Sequence, residues 1–256
     1  MQYYHNSLNY LQMKKILAIF FILLANNSFA GPPYDTDDPE PVSFQHWEVY
    51  FSSHLTSDVT QRGGTAPHFE VNYGVVPNVQ LHIILPFAFS VVENENLNYG
   101  YGDTEIGVKF RFIKESKSCP QIGVFPIVEL PSGNQSKGLG NGNVQVYLPL
   151  WFQKNFGKWI TYGGAGYWIN PGEGKRNWQF YGWQGQYQVT EKFSLGTELY
   201  HVTASEENDK GDTRFNFGSV IDLSKTSHLL LSAGRSINGS TRFQCYIGYQ
   251  LTLGKS

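Results

Sequence analysis

The stretch Tyr99–Phe112, YGYGDTEIGVKFRF, decides how this chain is read. From Asp103 onward the odd positions are Asp, Glu, Gly, Lys and Arg, and the even positions are Thr, Ile, Val, Phe and Phe. A period of two is a β-strand whose two faces differ. One face carries Asp103, Glu105, Lys109 and Arg111; the other is aliphatic and aromatic. Such a strand belongs either to a soluble sheet with its apolar face inward or to a membrane barrel with the same pattern inside out.

Working outward, about twelve segments between Ser43 and Leu253 show alternation over roughly 10 to 14 residues. A tilted strand crossing a bilayer needs about 9 to 11 residues, whereas strands of globular proteins stop near 5 or 6. The connections alternate too. Tight turns fall near Asn78, Gly157, Glu191 and Lys225, with a longer one, KESKSC, near Ser116. Between them lie long polar stretches: TSDVTQRGGT, ENENLNYGYG, PSGNQSKGLGNGN, NPGEGKRN and ASEENDKGDT. Short turns at one end and long loops at the other are the plan of an outer-membrane barrel. The expected fold is all-β, a transmembrane antiparallel up-and-down β-barrel of about twelve strands over residues 43–256.

The polar face is then a lumen. It carries Glu48, Glu70 and His82 on the early strands, Asp103, Glu105, Lys109 and Arg111 on the opening strand, and Glu129, Arg214 and Arg242 on later ones. These residues are expected to line a transport path. A Lys or Arg on the lipid face would cost about 2–4 kcal/mol at the midplane, so a one-residue slip of the Asp103–Arg111 strand is disfavoured. Strands around TYGGAGYW have aromatics and glycines on both faces, and their parity is ambiguous.

At the N-terminus, MKKILAIFFILLANNSFA has two lysines, an apolar run and small residues at Ser28 and Ala30. That is a secretory signal over residues 1–30 with cleavage after Ala30, and Met13 is a candidate true start. Residues 31–42, with the acidic DTDDPEP, are expected to be a solvated periplasmic lead-in; cation binding or plugging of the lumen are the alternatives. The net charge of −2 leaves no basic footprint for nucleic acid. Aromatic and charged residues are each 16% of the chain, against a usual charged fraction of about 25%, which suits a wall facing lipid. Cys119 and Cys245 are expected to stand far apart and unbridged. The final strand, YIGYQLTL, has the kind of ending that barrel-insertion machinery reads, although Gly254, Lys255 and Ser256 follow it.

GPPYDTDDPEPV with HWEVYF, PHFEVNYGVVPNVQLHIILPF, YGYGDTEIGVKFRF, GLGNGN and YGGAGYWINPGEGKRNW together resemble the outer-membrane transporter family named for the MetA pathway of phenol degradation. The resemblance covers nearly the whole mature chain. It implies a barrel of this kind and a role in moving small, aromatic or apolar compounds across the outer membrane. It carries over no catalytic residues.

No G-x-S-x-G, H-E-x-x-H, C-x-x-C or P-loop is present, and the glycine-rich GLGNGN and GYGD have no following helix to hold a phosphate. The expectation is therefore not an enzyme, with no cofactor. His46, His68 and His82 share the lumen side with Glu48 and Glu70. Those residue types ligate metals, but a hydrogen-bonded network bracing the wall is the expected role. The turn at Pro77 and Asn78 predicts Glu70 and His82 as cross-strand neighbours. Twelve strands close at a backbone diameter of roughly 24 Å and leave roughly 12 Å inside. Two functions fit: passive passage of small, weakly polar or aromatic solutes, or a non-transport barrel with a filled lumen that is structural or binds partners through its external loops. Inward Tyr and Trp with an exit toward lipid favour the first. A filled lumen favours the second.

Overall fold

A computed structural model describes residues 31–254. The expected signal segment lies outside the described residues. Fourteen ladder segments form one sheet, and they make twelve staves, because two staves are interrupted midway. The staves are β1 (Trp47–Ser57), β2 (Gln61–Val76), β3 (Val79–Val92), the pair β4 (Asn98–Tyr101) and β5 (Thr104–Ile113), and the pair β6 (Gln121–Val124) and β7 (Ile127–Leu130). They continue with β8 (Gln145–Phe156), β9 (Trp159–Ile169), β10 (Trp178–Thr190), β11 (Phe193–Val202), β12 (Asp212–Asp222), β13 (Ser227–Asn238) and β14 (Phe243–Leu253). Every neighbour is antiparallel. β1 pairs β14 from Trp47↔Leu253 to Ser57↔Phe243, so the sheet closes and no edge is left. Closure lets every stave satisfy its backbone groups away from water.

Turn chemistry explains the short end. Asn78 in the β2–β3 turn has φ 68 and Gly157 in the β8–β9 turn has φ 63, the left-handed conformation that tight hairpins require. At the other end, TSDVTQRGGT is not the long loop expected from its polarity. β1 runs to Ser57 and β2 starts at Gln61, with Asp58 N–H donating to the Gln61 carbonyl at 2.9 Å. Its Thr, Val and Gln residues are as content in a strand as in a loop once a paired neighbour is present.

The barrel is inside out relative to a soluble protein. Leu81, Val108, Phe110, Leu199, Phe217 and Ile247 are exposed on the outer wall, a continuous apolar belt that calls for lipid. Gln153, Gln184, Asn216 and Gln250 are buried inside. The fold and this belt define a bacterial outer-membrane β-barrel. Cys119 and Cys245 are both free.

Candidate functional site

The interior is organised by the lead-in. Residues 31–42, expected in the periplasm, turn back from β1 into the lumen, and Thr36 and Asp38 are wholly buried there. The physical reason lies in the charges of the opening stretch. Lys109 Nζ donates to Asp37 Oδ1 at 2.9 Å and to Asp38 Oδ2 at 3.3 Å, and Arg111 Nη1 donates to Glu40. An acidic DTDDPEP beside water gains little. Inside the barrel it compensates two inward cations that would otherwise be buried alone. Across the lumen, Glu198 accepts the N–H groups of Asp35 and Thr36 at 3.0 and 2.8 Å. Asn216 and Gln244 donate to Asp35, and Ser232 donates to the Pro33 carbonyl at 2.6 Å.

Shape matches as well as charge. Tyr34 lies against inward glycines of β11 and β12. A Cβ on Gly196 would come within 2.4 Å of the Tyr34 hydroxyl, and one on Gly218 within 2.8 Å of its ring. No real Cβ approaches so closely, so the wall is hollowed where the segment seats.

The lead-in separates two cavities. On the short-turn side, a space of about 410 Å³ is lined by Glu48, Tyr50, Gln80, His228 and Gln250. On the long-loop side lies a vestibule of about 1060 Å³, floored by Tyr34, Asp35 and Asp37 and reaching up to the loop residues Asn208–Gly211. Its wall is aromatic on the β8–β11 side, with His68, Glu70, His82 and Glu105 opposite. Tyr147 of β8 stacks on Trp168 of β9 at 4.8 Å, and Trp168 stacks on Trp178 of β10 at 5.2 Å. Phe180 stacks on Tyr200 at 5.4 Å and meets Trp151 edge-on at 5.9 Å. The Trp151 indole N–H is buried and has no hydrogen-bond partner. The vestibule therefore offers aromatic surface on one side, which suits a flat apolar solute.

The residues expected to line a path divide by role. Glu105 and His82 meet at 2.8 Å, and His82 Nδ1 lies 2.7 Å from Asn72 Oδ1. The register pairs His82 with Asn72, and Glu70 with Ile84, so Glu70 is a diagonal neighbour of His82, 3.6 Å away, and not its direct partner. The Pro77–Asn78 turn, which pairs Val76 with Val79, would by itself set Glu70 opposite Leu85; the bulge between Gly74 and Val76 moves its partner to Ile84, still two residues short of His82. Glu48 accepts from Tyr50 at 2.8 Å, Glu70 accepts from Asn72 at 2.8 Å, and Arg214 donates to Asp212 at 3.0 Å beside the vestibule. Lys109 and Arg111 clamp the lead-in.

Three residues lie toward the long-loop end: Asp103 and Glu129 line the lumen beneath a loop, and Arg242 stands outside it. Asp103 sits between β4 and β5 and accepts the backbone N–H groups of Gly133 and Asn141, so it anchors a long loop. Glu129 takes Asn141 Nδ2 at 3.3 Å beneath the same loop. Arg242 precedes β14 and is exposed at the rim, outside the lumen. His46 and His68 do not join His82, and among the described residues no group of three His, Cys, Asp or Glu is arranged to hold a metal. The vestibule aromatics were not singled out by sequence reasoning. β8–β10 carry rings on both faces, so alternation there has no contrast to read.

No family model and no curated protein matches the chain. Solved structures share its fold. The COG4313 outer membrane channel from Pseudomonas putida F1 is 18% identical, with a TM-score of 0.67 over 88% of this chain and 100% of that one. The KdgM porin, in complex with disordered oligogalacturonate, is 10% identical, with a TM-score of 0.55 over 80% of this chain and 98% of that one. The translocator domain of autotransporter NalP from Neisseria meningitidis is also 10% identical, with a TM-score of 0.53 over 96% of each chain. At these identities the likeness is one of fold.

Proposed function

We propose that this barrel gives passive passage to small, weakly polar or aromatic solutes, which enter at the vestibule. The observation that carries the reading is the aromatic wall built by Tyr147, Trp151, Phe180 and Tyr200 around an open space of about 1060 Å³. A water-filled pore has no use for so many buried rings. A ring-lined cleft gains from every apolar surface that enters it, about 25 cal/mol per Å² buried. The charged groups that would sort ions are spent on one another and on the lead-in, as Lys109–Asp37 and Arg111–Glu40 show. The resemblance to the phenol-pathway family and the fold shared with channels point the same way, as analogy. Nothing in the reading needs an energy source or a chemical step.

The lead-in is the observation that favours the other reading, a barrel closed by its own segment. The two are separated by vesicles carrying lipopolysaccharide in their outer leaflet, which resists apolar solutes. With the protein present, phenol should enter faster than into protein-free vesicles. Vesicles that stay as tight as controls to phenol, arabinose and potassium alike would overturn the transport reading in favour of the closed barrel.

A further inference from the structure

The chain has six arginines. Arg111 and Arg214 are spent inside the barrel, on Glu40 and Asp212. Arg62, Arg235 and Arg242 are exposed and gathered on one wall at the long-loop end. The registers bring them together. Arg62 pairs Ser57 across β2 and β1, and Ser57 pairs Phe243 across β1 and β14. One step beyond Gly234↔Gln244, the β13–β14 register sets Arg235 beside Phe243. Residues directly opposed in a ladder share a face. Phe243 is on the lipid face, 44% exposed, so Arg62 and Arg235 belong to the same outward row, three strand spacings or about 14 Å apart at the backbone. Arg242 stands between them at the rim, its backbone N–H donating to the Ser57 carbonyl at 2.9 Å.

Among the described residues, none of these three side chains is in an ion pair or a hydrogen bond. The acids nearby are engaged elsewhere. Asp58 caps its own turn through the N–H groups of Thr60 and Gln61, at 2.8 and 2.7 Å. Asp212 takes Arg214 at 3.0 Å and the Thr241 hydroxyl at 3.0 Å. Glu93, held one level higher by its N–H to the Thr60 carbonyl, makes no ion pair. Three like charges side by side repel, and their height says what offsets them. The ten steps of β1 from Trp47 to Ser57, at about 3.4 Å each and a tilt of about 40°, climb about 26 Å. The apolar band of such a barrel is about 25 Å tall, so the row stands where the acyl chains of the outer leaflet end and its head groups begin. The opposite rim differs in kind: its exposed cations are Lys114, Lys117, Lys158, Lys192 and Lys225. Lysine is a point charge, whereas arginine is a planar fork that grips a phosphate through two N–H groups at once.

We propose that the outer wall of β13, β14, β1 and β2 binds a phosphorylated glycolipid of the outer leaflet, its phosphates on Arg62, Arg235 and Arg242 and an acyl chain on the wall below. The next outward level toward the membrane reads Phe217, Ala233, Cys245 and Leu55 across four strands. Ala233 and Cys245 are small and stand between larger neighbours, which leaves a shallow lane two strands, or about 10 Å, wide. A chain laid in that lane touches Phe217 and Leu55 on its flanks while its head group meets the arginines. A neutral head leaves the three charges unpaired, and a single phosphodiester meets only part of a row about 14 Å long. A sugar head carrying phosphates at separate positions spans it. The site does not depend on what crosses the lumen.

The test titrates fluorescently labelled rough lipopolysaccharide into the purified barrel in dodecyl maltoside. Arg62→Gln, Arg235→Gln and Arg242→Gln together should weaken binding at least tenfold while heat-modifiable migration is unchanged. Lys158→Gln with Lys192→Gln, which removes charge at the other rim, should leave the affinity within twofold. With no substitution at all, the same lipopolysaccharide stripped of its phosphates should bind at least tenfold more weakly. In a Cys119→Ser background, bound lipopolysaccharide should slow alkylation of Cys245 by N-ethylmaleimide several-fold, and the triple variant should lose that protection. Equal binding by the triple variant, or by the dephosphorylated lipid, overturns the proposal. So does phosphatidylglycerol that binds as tightly, which would make the wall a surface for any anionic lipid. Inorganic phosphate that displaces the lipid at equal concentration would likewise overturn it, leaving an anion site without a lipid.

Discussion

The two sides of the barrel interior are built from opposite chemistry. On β1–β5 the inward groups are charged or strongly polar, and His82, Glu105, Lys109 and Arg111 are each engaged by a partner. On β8–β11 the inward groups toward the long-loop end are rings, stacked on one another with space in front of them. The charged side is saturated: its cations are held by Asp37, Asp38 and Glu40 of the lead-in. The aromatic side is open. Lys109 and Arg111 therefore hold the molecule's own segment, and a solute in the vestibule meets the rings on one side with Glu70, His82 and Glu105 on the other.

The comparison breaks most readily at the clamp. Lys109→Glu with Arg111→Glu sets like charges against Asp37, Asp38 and Glu40, and unpairing a buried ion pair costs about 3–5 kcal/mol. The lead-in should leave its seat, and ion conductance in planar bilayers should rise several-fold. Unchanged conductance would mean that the charged side does not hold the segment. The next effect concerns the wall. Val108→Arg, on the outer face of the same strand, should cost about 2–4 kcal/mol and impair insertion, read as loss of heat-modifiable migration. Lys109→Gln should insert normally and change only conductance. Equal damage from the two would reverse the faces.

A smaller effect is expected where shape alone is altered. Gly196→Val intrudes on Tyr34, and overpacking of this kind costs about 1–3 kcal/mol, so conductance should rise less than with the charge reversal. On the aromatic side, Trp151→Ala removes the ring that meets Phe180 edge-on. Such ring contacts are worth about 0.5–1.5 kcal/mol, a roughly two- to tenfold loss in the rate of phenol entry, with ion conductance unchanged. A loss of ion conductance instead would show that the two sides share one path. The smallest effect belongs to the loop pair Lys175–Glu206, whose carboxylate is more than half exposed. Glu206→Gln should change thermal stability by less than about 1 kcal/mol and leave phenol entry as it was.

Where faces differ, the fold was legible residue by residue. In the Asp103–Phe112 strand, Glu105, Lys109 and Arg111 point inward and Val108 and Phe110 outward, as the alternation requires. Where both faces are aromatic, as in TYGGAGYW and WQFYGW, local contrast vanishes, and the vestibule was invisible for that reason. Asp103, Glu129 and Arg242 kept their parity in the sequence, but parity does not tell how far along a stave a residue lies. These three stand at or near the long-loop end, where two of them hold a loop and the third meets solvent.

The sequence by itself determined the barrel, its twelve staves and the side on which most charges lie, because period-two alternation and turn chemistry act over a few residues at a time. The tertiary structure alone decided where the lead-in goes and what the lumen offers. Asp35 reaches Glu198, 163 positions away, and Gln244, 209 positions away. Contacts at that separation depend on the closed wall that brings β1, β11 and β14 around one axis, and no local pattern encodes them. An acidic stretch looks solvated until the barrel supplies, on one face, the cations and the hollow that make burial the lower free energy.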